Sequence, residues 1–64
     1  MCLSNIYRAS DRKLLMDNTA RIEVKDGTVI LRDLFGRVLK ISGSIASVDL
    51  ENNEVILQTE NCDN

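Results

Sequence analysis

The 64-residue sequence predicts an all-β protein, in which six to seven short antiparallel strands curl into a small barrel. Hydrophobic and polar residues alternate with a period of two through most of the chain, which is typical of strands with one buried face. Turn-forming residues interrupt this alternation at short intervals. Proline is absent and 44% of the residues are hydrophobic, as expected of a folded chain. Closing so small a sheet into a barrel would hide its edges.

The clearest element is a β-hairpin over residues 19–32. In its first strand, positions 20, 22 and 24 share one face, and positions 19, 21, 23 and 25 share the other. Asp26 and Gly27 follow, a dipeptide that favours a two-residue type I′ turn because both central residues need a positive φ. Residues 28–32 then form the returning strand.

Before the hairpin, residues 3–9 are predicted to form a first strand and residues 13–17 a short second one. Asp11 and Arg12 form the turn between them. The alternative for residues 10–18 is a turn of helix with Leu14, Leu15 and Met16 facing the core.

After the hairpin, residues 33–36 are predicted to form a turn in which Phe35 enters the core. Two strands follow, over residues 37–42 and 44–50, separated by Gly43. A turn at residues 51–54 leads to a last strand over residues 55–59. Residues 1–59 are thus predicted to form a single β domain, and residues 60–64 a flexible polar tail.

Composition narrows the possible functions. The net charge of −2 argues against a nucleic-acid-binding protein. No apolar run approaches the roughly 20 residues that span a bilayer, and no secretory signal is evident, so we predict a cytoplasmic protein with no membrane contact. Histidine is absent, which removes the Ser-His and Cys-His nucleophile pairs and argues against an enzyme.

Cys2 is the candidate metal ligand. If the initiator methionine is removed, the amine and thiol of Cys2 can close a five-membered chelate ring, which the amide nitrogen of Leu3 can join. If Met1 stays, its amine, the Cys2 amide and the thiolate close two such rings. Either set places nitrogen and sulfur donors in one plane, as Ni(II) and Cu(II) prefer. Because thiolates tend to reduce Cu(II), nickel is favoured of the two.

Other interpretations of the cysteines remain open. Zn(II) would need four tetrahedral donors, whereas the chain has two thiols and no imidazole. Cys2 could also be a small apolar residue at the start of a strand. Cys62 could supply a second thiolate or be incidental, since nothing around it is basic enough to activate the thiol.

The alternative function is a small RNA-binding β-barrel. Arg8, Arg12 and Lys13 form a local basic cluster. Tyr7 and Phe35 are the chain's two aromatic residues, too few for a stacking platform. The cluster is therefore interpreted as solvated surface, and nucleic acid as an unlikely partner.

A set of short motifs follows a specific order and spacing from residue 1 to residue 57. They are MCLS at 1–4, ARI at 20–22, LRDLFG at 31–36, GSI at 43–45, VDL at 48–50 and IL at 56–57. In these motifs the chain resembles the CooT family, small nickel-binding accessory proteins associated with the maturation of carbon monoxide dehydrogenase.

The resemblance implies an all-β homodimer that binds Ni(II) through the cysteine after the initiator methionine, here Cys2. It implies a nickel enzyme such as carbon monoxide dehydrogenase as a partner, and relatives have also been labelled as RNA-binding. A two-fold axis would bring two Cys2 groups together, so that one ion could be shared between the subunits. Cys62 lies outside the pattern and receives no role from it.

Overall fold

The computed structural model describes residues 3–59, which form an all-β barrel. Its strands are β1 (Ser4–Arg8), β2 (Leu14–Lys25), β3 (Thr28–Asp33), β4 (Val38–Asp49) and β5 (Glu54–Thr59). Consecutive strands pair antiparallel, and β1 pairs with β5 to close the ring. The β1–β5 pair is parallel, because an odd number of strands that alternate in direction can close only through one parallel pair.

The predicted all-β barrel is confirmed, but the predicted count of six to seven strands is wrong. Residues 14–17 and 19–25 belong to the single strand β2, and residues 38–42 and 44–49 belong to β4. The first half of β2 pairs with β1 and its second half with β3, and β4 divides in the same way between β3 and β5. The expected breaks are therefore bends inside two long strands. The alternative helix at residues 10–18 is also excluded.

Gly43 forms the bend in β4. It is buried, has a φ of 151° and donates a 2.9 Å backbone hydrogen bond to Gly27 in the β2–β3 turn. A Cβ atom at this position would lie 2.2 Å from the backbone oxygen of Gln58. Glycine is therefore required where β4 crosses from one half of the barrel to the other.

The bend in β2 contains a β-bulge at Ala20. Thr19 lies opposite Asp33, whereas Arg21 lies opposite Arg32, so Ala20 has no partner of its own. The bulge turns the side chain of Thr19 into the barrel, where it is 3% exposed, and leaves Ala20 on the surface. The alternation predicted Ala20 on the face of Ile22 and Val24, with Thr19 on the opposite face, and both of these assignments are wrong.

Beyond the bulge the predicted hairpin is confirmed. Asp26 and Gly27 both have positive φ, 51° and 75°, as a type I′ turn requires. Ile22 and Val24 lie opposite residues of β3 that are fully buried. The alternate residues of this part of β2 consequently point away from the core.

Five buried aliphatic residues form the core: Ile6, Val29, Leu31, Val55 and Leu57. They come from β1, β3 and β5, and partly buried side chains of β2 and β4 pack around them. Phe35 is not among them, contrary to the prediction, because 73% of its surface is exposed. Residues 3–59 contain no helix that is long and hydrophobic enough to cross a membrane.

Candidate functional site

The two cysteines lie outside residues 3–59, the part of the chain that the structure describes. Leu3 is the first described residue and is half-buried. The residues that surround the start of β1 therefore define the part of the candidate site for which geometry is known.

β1 begins at the end of the barrel that carries the β4–β5 turn. The backbone nitrogen of Asn5 donates to the carbonyl oxygen of Asn53 at 2.9 Å, which joins the two segments directly. Leu50 follows the end of β4 and is 81% exposed, and Val48 is 53% exposed. We refer to Leu3, Val48 and Leu50 as the N-terminal rim. Val48 and Leu50 thus expose apolar surface at this end of the barrel.

The β4–β5 turn places three carboxylates beside this rim, those of Asp49, Glu51 and Glu54. Asp49 organises the turn: its Oδ1 accepts from the amides of Glu51 (3.0 Å) and Asn52 (3.1 Å), and its Oδ2 accepts from Asn52 Nδ2 (2.8 Å). The side-chain and backbone hydrogen bonds from Asn52 hold the pKa of Asp49 below its ordinary value. This end of the barrel is therefore negatively charged at neutral pH, which favours the approach of cations.

We refer to the β4–β5 turn with Asp49, Glu51 and Glu54 as the acidic turn. The sequence analysis did not predict it as a part of the candidate site. Three acidic residues within positions 49–54 were a visible signal, but only the parallel pairing of β1 with β5 brings them to the start of the chain. Within residues 3–59, no group of three or more acidic side chains is arranged to hold a metal ion.

The predicted basic cluster lies in the β1–β2 turn and is partly used to stabilise that turn. Arg8 donates from Nε and Nη2 to the two carboxylate oxygens of Asp11, at 2.9 and 2.7 Å. Asp11 also accepts from the amide of Lys13 at 3.1 Å. The Arg8 hydrogen bond holds the pKa of Asp11 far below its ordinary value. Arg8 is thus engaged within the chain, which leaves Arg12 and Lys13 as the exposed cations of the cluster.

The β3–β4 turn is organised by a buried carboxylate. Asp33 is 2% exposed, and its Oδ1 accepts from the amides of Phe35 (2.9 Å) and Arg37 (2.8 Å), while Oδ2 pairs with Arg37 Nε. Burial alone would raise the pKa of Asp33, but the hydrogen bonds from Arg37 and Phe35 outweigh it and lower the pKa. The predicted turn at residues 33–36 is confirmed, with the aspartate rather than the phenylalanine facing inward.

Comparisons with known proteins identify relatives of nearly the whole chain. A family model described as "CO dehydrogenase accessory protein CooT" matches residues 1–58, a range that includes Cys2 and excludes Cys62. An uncharacterized protein of Methanocaldococcus jannaschii is 33% identical over 58 residues, which is 91% of this chain and 98% of that protein.

The fold also matches a solved structure. A crystal structure of a protein assigned to CooT from Carboxydothermus hydrogenoformans aligns with a TM-score of 0.84 and 16% identity, over 94% of this chain and all of the other. At this identity the likeness concerns the fold alone, and it shows that the two chains share one barrel topology.

Proposed function

This chain belongs to the CooT family of CO dehydrogenase accessory proteins, and we propose that it is a non-enzymatic nickel-binding protein that serves such an enzyme. Ni(II) is its cargo, held by the Cys2 thiolate and the backbone nitrogens at the N-terminus. The observation that carries the proposal is that the family match begins at residue 1 and so includes the N-terminal thiol.

The donor chemistry of the chain supports nickel. The chain has no histidine, so the nitrogen and sulfur donors that can bind a transition metal strongly are its two thiolates and its N-terminal nitrogens. A thiolate beside backbone nitrogens forms small chelate rings in one plane. This planar arrangement suits Ni(II), whereas Zn(II) prefers four tetrahedral donors. Cys62 lies beyond the matched range, and the proposal gives it no role.

The acidic turn supports the capture of a cation. Glu51 and Glu54 lie at the barrel end where β1 begins, and Asp49 adds a third negative charge that its hydrogen bonds keep ionised. Such a field concentrates divalent cations near the N-terminus and raises the association rate at low ionic strength. In this proposal the turn guides the ion and the N-terminus binds it.

The N-terminal rim supports a homodimer. One chain offers one thiolate at its start, whereas a two-fold axis would place two thiolates on one ion. Val48 and Leu50, the exposed residues of the rim, would then be covered by the partner. An ion that binds only the folded dimer would also stabilise a chain of this small size.

A nickel titration tests the proposal. Intact mass is measured first to establish whether Met1 is present, and thiolate-to-nickel absorption is then followed for the parent, Cys2→Ser and the matched control Cys62→Ser. We expect saturation near one ion per two chains for the parent and the control, and loss of the absorption bands in Cys2→Ser. Because the thiol must lose its proton, the affinity should fall as pH decreases. Equal nickel affinity in Cys2→Ser and the parent would refute the proposal.

A further inference from the structure

A basic face on the barrel has no role in the function proposed above. The second half of β2, β3 and the first half of β4 form a three-stranded sheet whose inner side carries the core residues Val29 and Leu31. Its outer side carries Arg21 and Lys25 from β2, Arg32 from β3 and Lys40 from β4, all exposed. We refer to these four residues as the basic face.

The basic face concentrates positive charge on one surface of the barrel. It holds four of the chain's eight basic residues, and Glu23 is the acidic residue that shares this side of the sheet. The whole chain nevertheless has a net charge of −2. The three carboxylates of the acidic turn lie outside this three-stranded sheet.

The arrangement of two arginines is unfavourable for the fold itself. Arg21 and Arg32 lie directly opposite each other on neighbouring strands, and like charges in such cross-strand pairs are destabilising. Arg21 is partly compensated by Glu23, whose Oε2 lies 2.8 Å from Nη2. Within residues 3–59, no carboxylate forms an ion pair with Arg32 or Lys40. This part of the face therefore lacks an internal counter-charge.

The composition of the face favours protein over nucleic acid. Ile30 lies in its centre, between Glu23 and Lys40, and Val38 lies opposite Arg32 with 50% of its surface exposed. Arginine is enriched in protein interfaces relative to the rest of the surface. Binding of single-stranded nucleic acid usually needs aromatic rings for stacking, and this face has none.

We propose that the basic face binds an acidic segment of a partner protein. Three strands span about 10 Å in width and five residues about 13 Å in length, which an extended segment of about five residues would cover. Its carboxylates would neutralise Arg32 and Lys40, and its apolar atoms would cover Ile30 and Val38. The interaction does not depend on nickel or on Cys2.

The test measures binding of a fluorescein-labelled oligoglutamate by fluorescence anisotropy at low salt. The parent is compared with Arg32→Glu/Lys40→Glu and with the control Arg12→Glu/Lys13→Glu, which changes the net charge equally at the β1–β2 turn. We expect the affinity to fall at least about tenfold in the first variant and less than about threefold in the control. Added salt should weaken parent binding. No binding by the parent, or equal losses in both variants, would overturn the proposal.

Two further arms keep the test decisive. If the double reversal fails to fold, Arg32→Gln/Lys40→Gln takes its place, and it should still lose more affinity than Arg12→Gln/Lys13→Gln. A labelled oligouridine that bound the basic face more tightly than oligoglutamate would overturn the assignment to protein. Cys2→Ser should bind oligoglutamate as the parent does, so this proposal and the nickel proposal can fail separately.

Discussion

The β3–β4 and β4–β5 turns both start with an aspartate at the last position of a strand. In each, one carboxylate oxygen accepts from the amide two residues ahead, at 2.9 Å for Asp33 and 3.0 Å for Asp49. The second oxygen of Asp33 pairs with a guanidinium, and that of Asp49 accepts from the side-chain amide of Asn52. Asp33 is almost fully buried, whereas Asp49 is half-buried.

This difference separates a structural carboxylate from a surface one. A buried carboxylate is stable only when all its oxygens have strong donors, so the β3–β4 turn is fixed to the core. The β4–β5 turn uses the same local geometry around a carboxylate that is only half-buried, and it keeps its negative charges at the surface beside the N-terminal rim. The same turn motif therefore anchors the barrel at one position and presents charge at the other.

The largest effect is expected from Asp33→Ala. The amides of Phe35 and Arg37 would lose their acceptor, and the guanidinium would lose its counter-charge. We expect the melting temperature, measured by circular dichroism, to fall by about 10 °C or more for a domain of this size. A fall no larger than that of Asp49→Ala would contradict the distinction between the two turns.

The next largest effect is expected in the pH dependence of unfolding. Both carboxylates have a pKa lowered by folding, so their stabilisation is complete above the unfolded pKa of about 3.9 and is lost as pH falls through the lower folded value. Arg37→Gln removes a donor that lowers the pKa of Asp33, and acid unfolding should therefore begin at higher pH. Lys13→Gln, which removes an exposed cation from the β1–β2 turn, is the control, and its acid midpoint should equal that of the parent.

A smaller effect is expected from Asp49→Ala. Its hydrogen bonds lie at the surface, where water can replace them, so the melting temperature should fall by about 2 to 5 °C. The loss of one negative charge should also slow nickel association slightly at low salt. Stopped-flow absorbance measures the rate of nickel association. Asp17→Ala is the control, because it removes an exposed negative charge from β2 instead of the β4–β5 turn. Identical rates in both variants would count against guidance by the acidic turn.

The smallest effect is expected from Phe35→Ala in the β3–β4 turn. Phe35 is largely exposed and contacts the Arg37 guanidinium, which lies 5.9 Å from the ring centre. Removing the ring should change the melting temperature by less than about 4 °C, because exposed substitutions are usually near neutral. A large fall would show that the ring, and not only Asp33, anchors this turn.

The sequence predicted the parts of the fold that depend on local patterns. The alternation and the Asp26-Gly27 turn were sufficient for the hairpin, because a type I′ turn is encoded by its own two residues. Gly43 was recognised as an interruption, but only its contact with Gln58 shows a bend rather than a strand end. Thr19 was assigned to the wrong face because a bulge shifts the side-chain period without a clear sequence signal.

The candidate site was less accessible to sequence reasoning. The acidic turn and the start of β1 are far apart in the chain, and their proximity follows from strand pairing alone. Buried Asp33 could not be distinguished by sequence from the exposed aspartates, because its burial depends on the donors that surround it. Nickel binding through Cys2 remains a prediction, supported by chemistry and by family membership.

The parallel pairing of β1 with β5 also has a consequence for folding kinetics. The first strand finds its second neighbour only in the last strand, about 50 positions later, and this contact closes the ring. Loop closure over such a distance costs entropy before the contact is formed, so the barrel should fold slowly for its size. During synthesis on the ribosome, β1 cannot be fully enclosed until β5 has emerged. Barrel closure is therefore the pairing that depends on the last strand of the barrel.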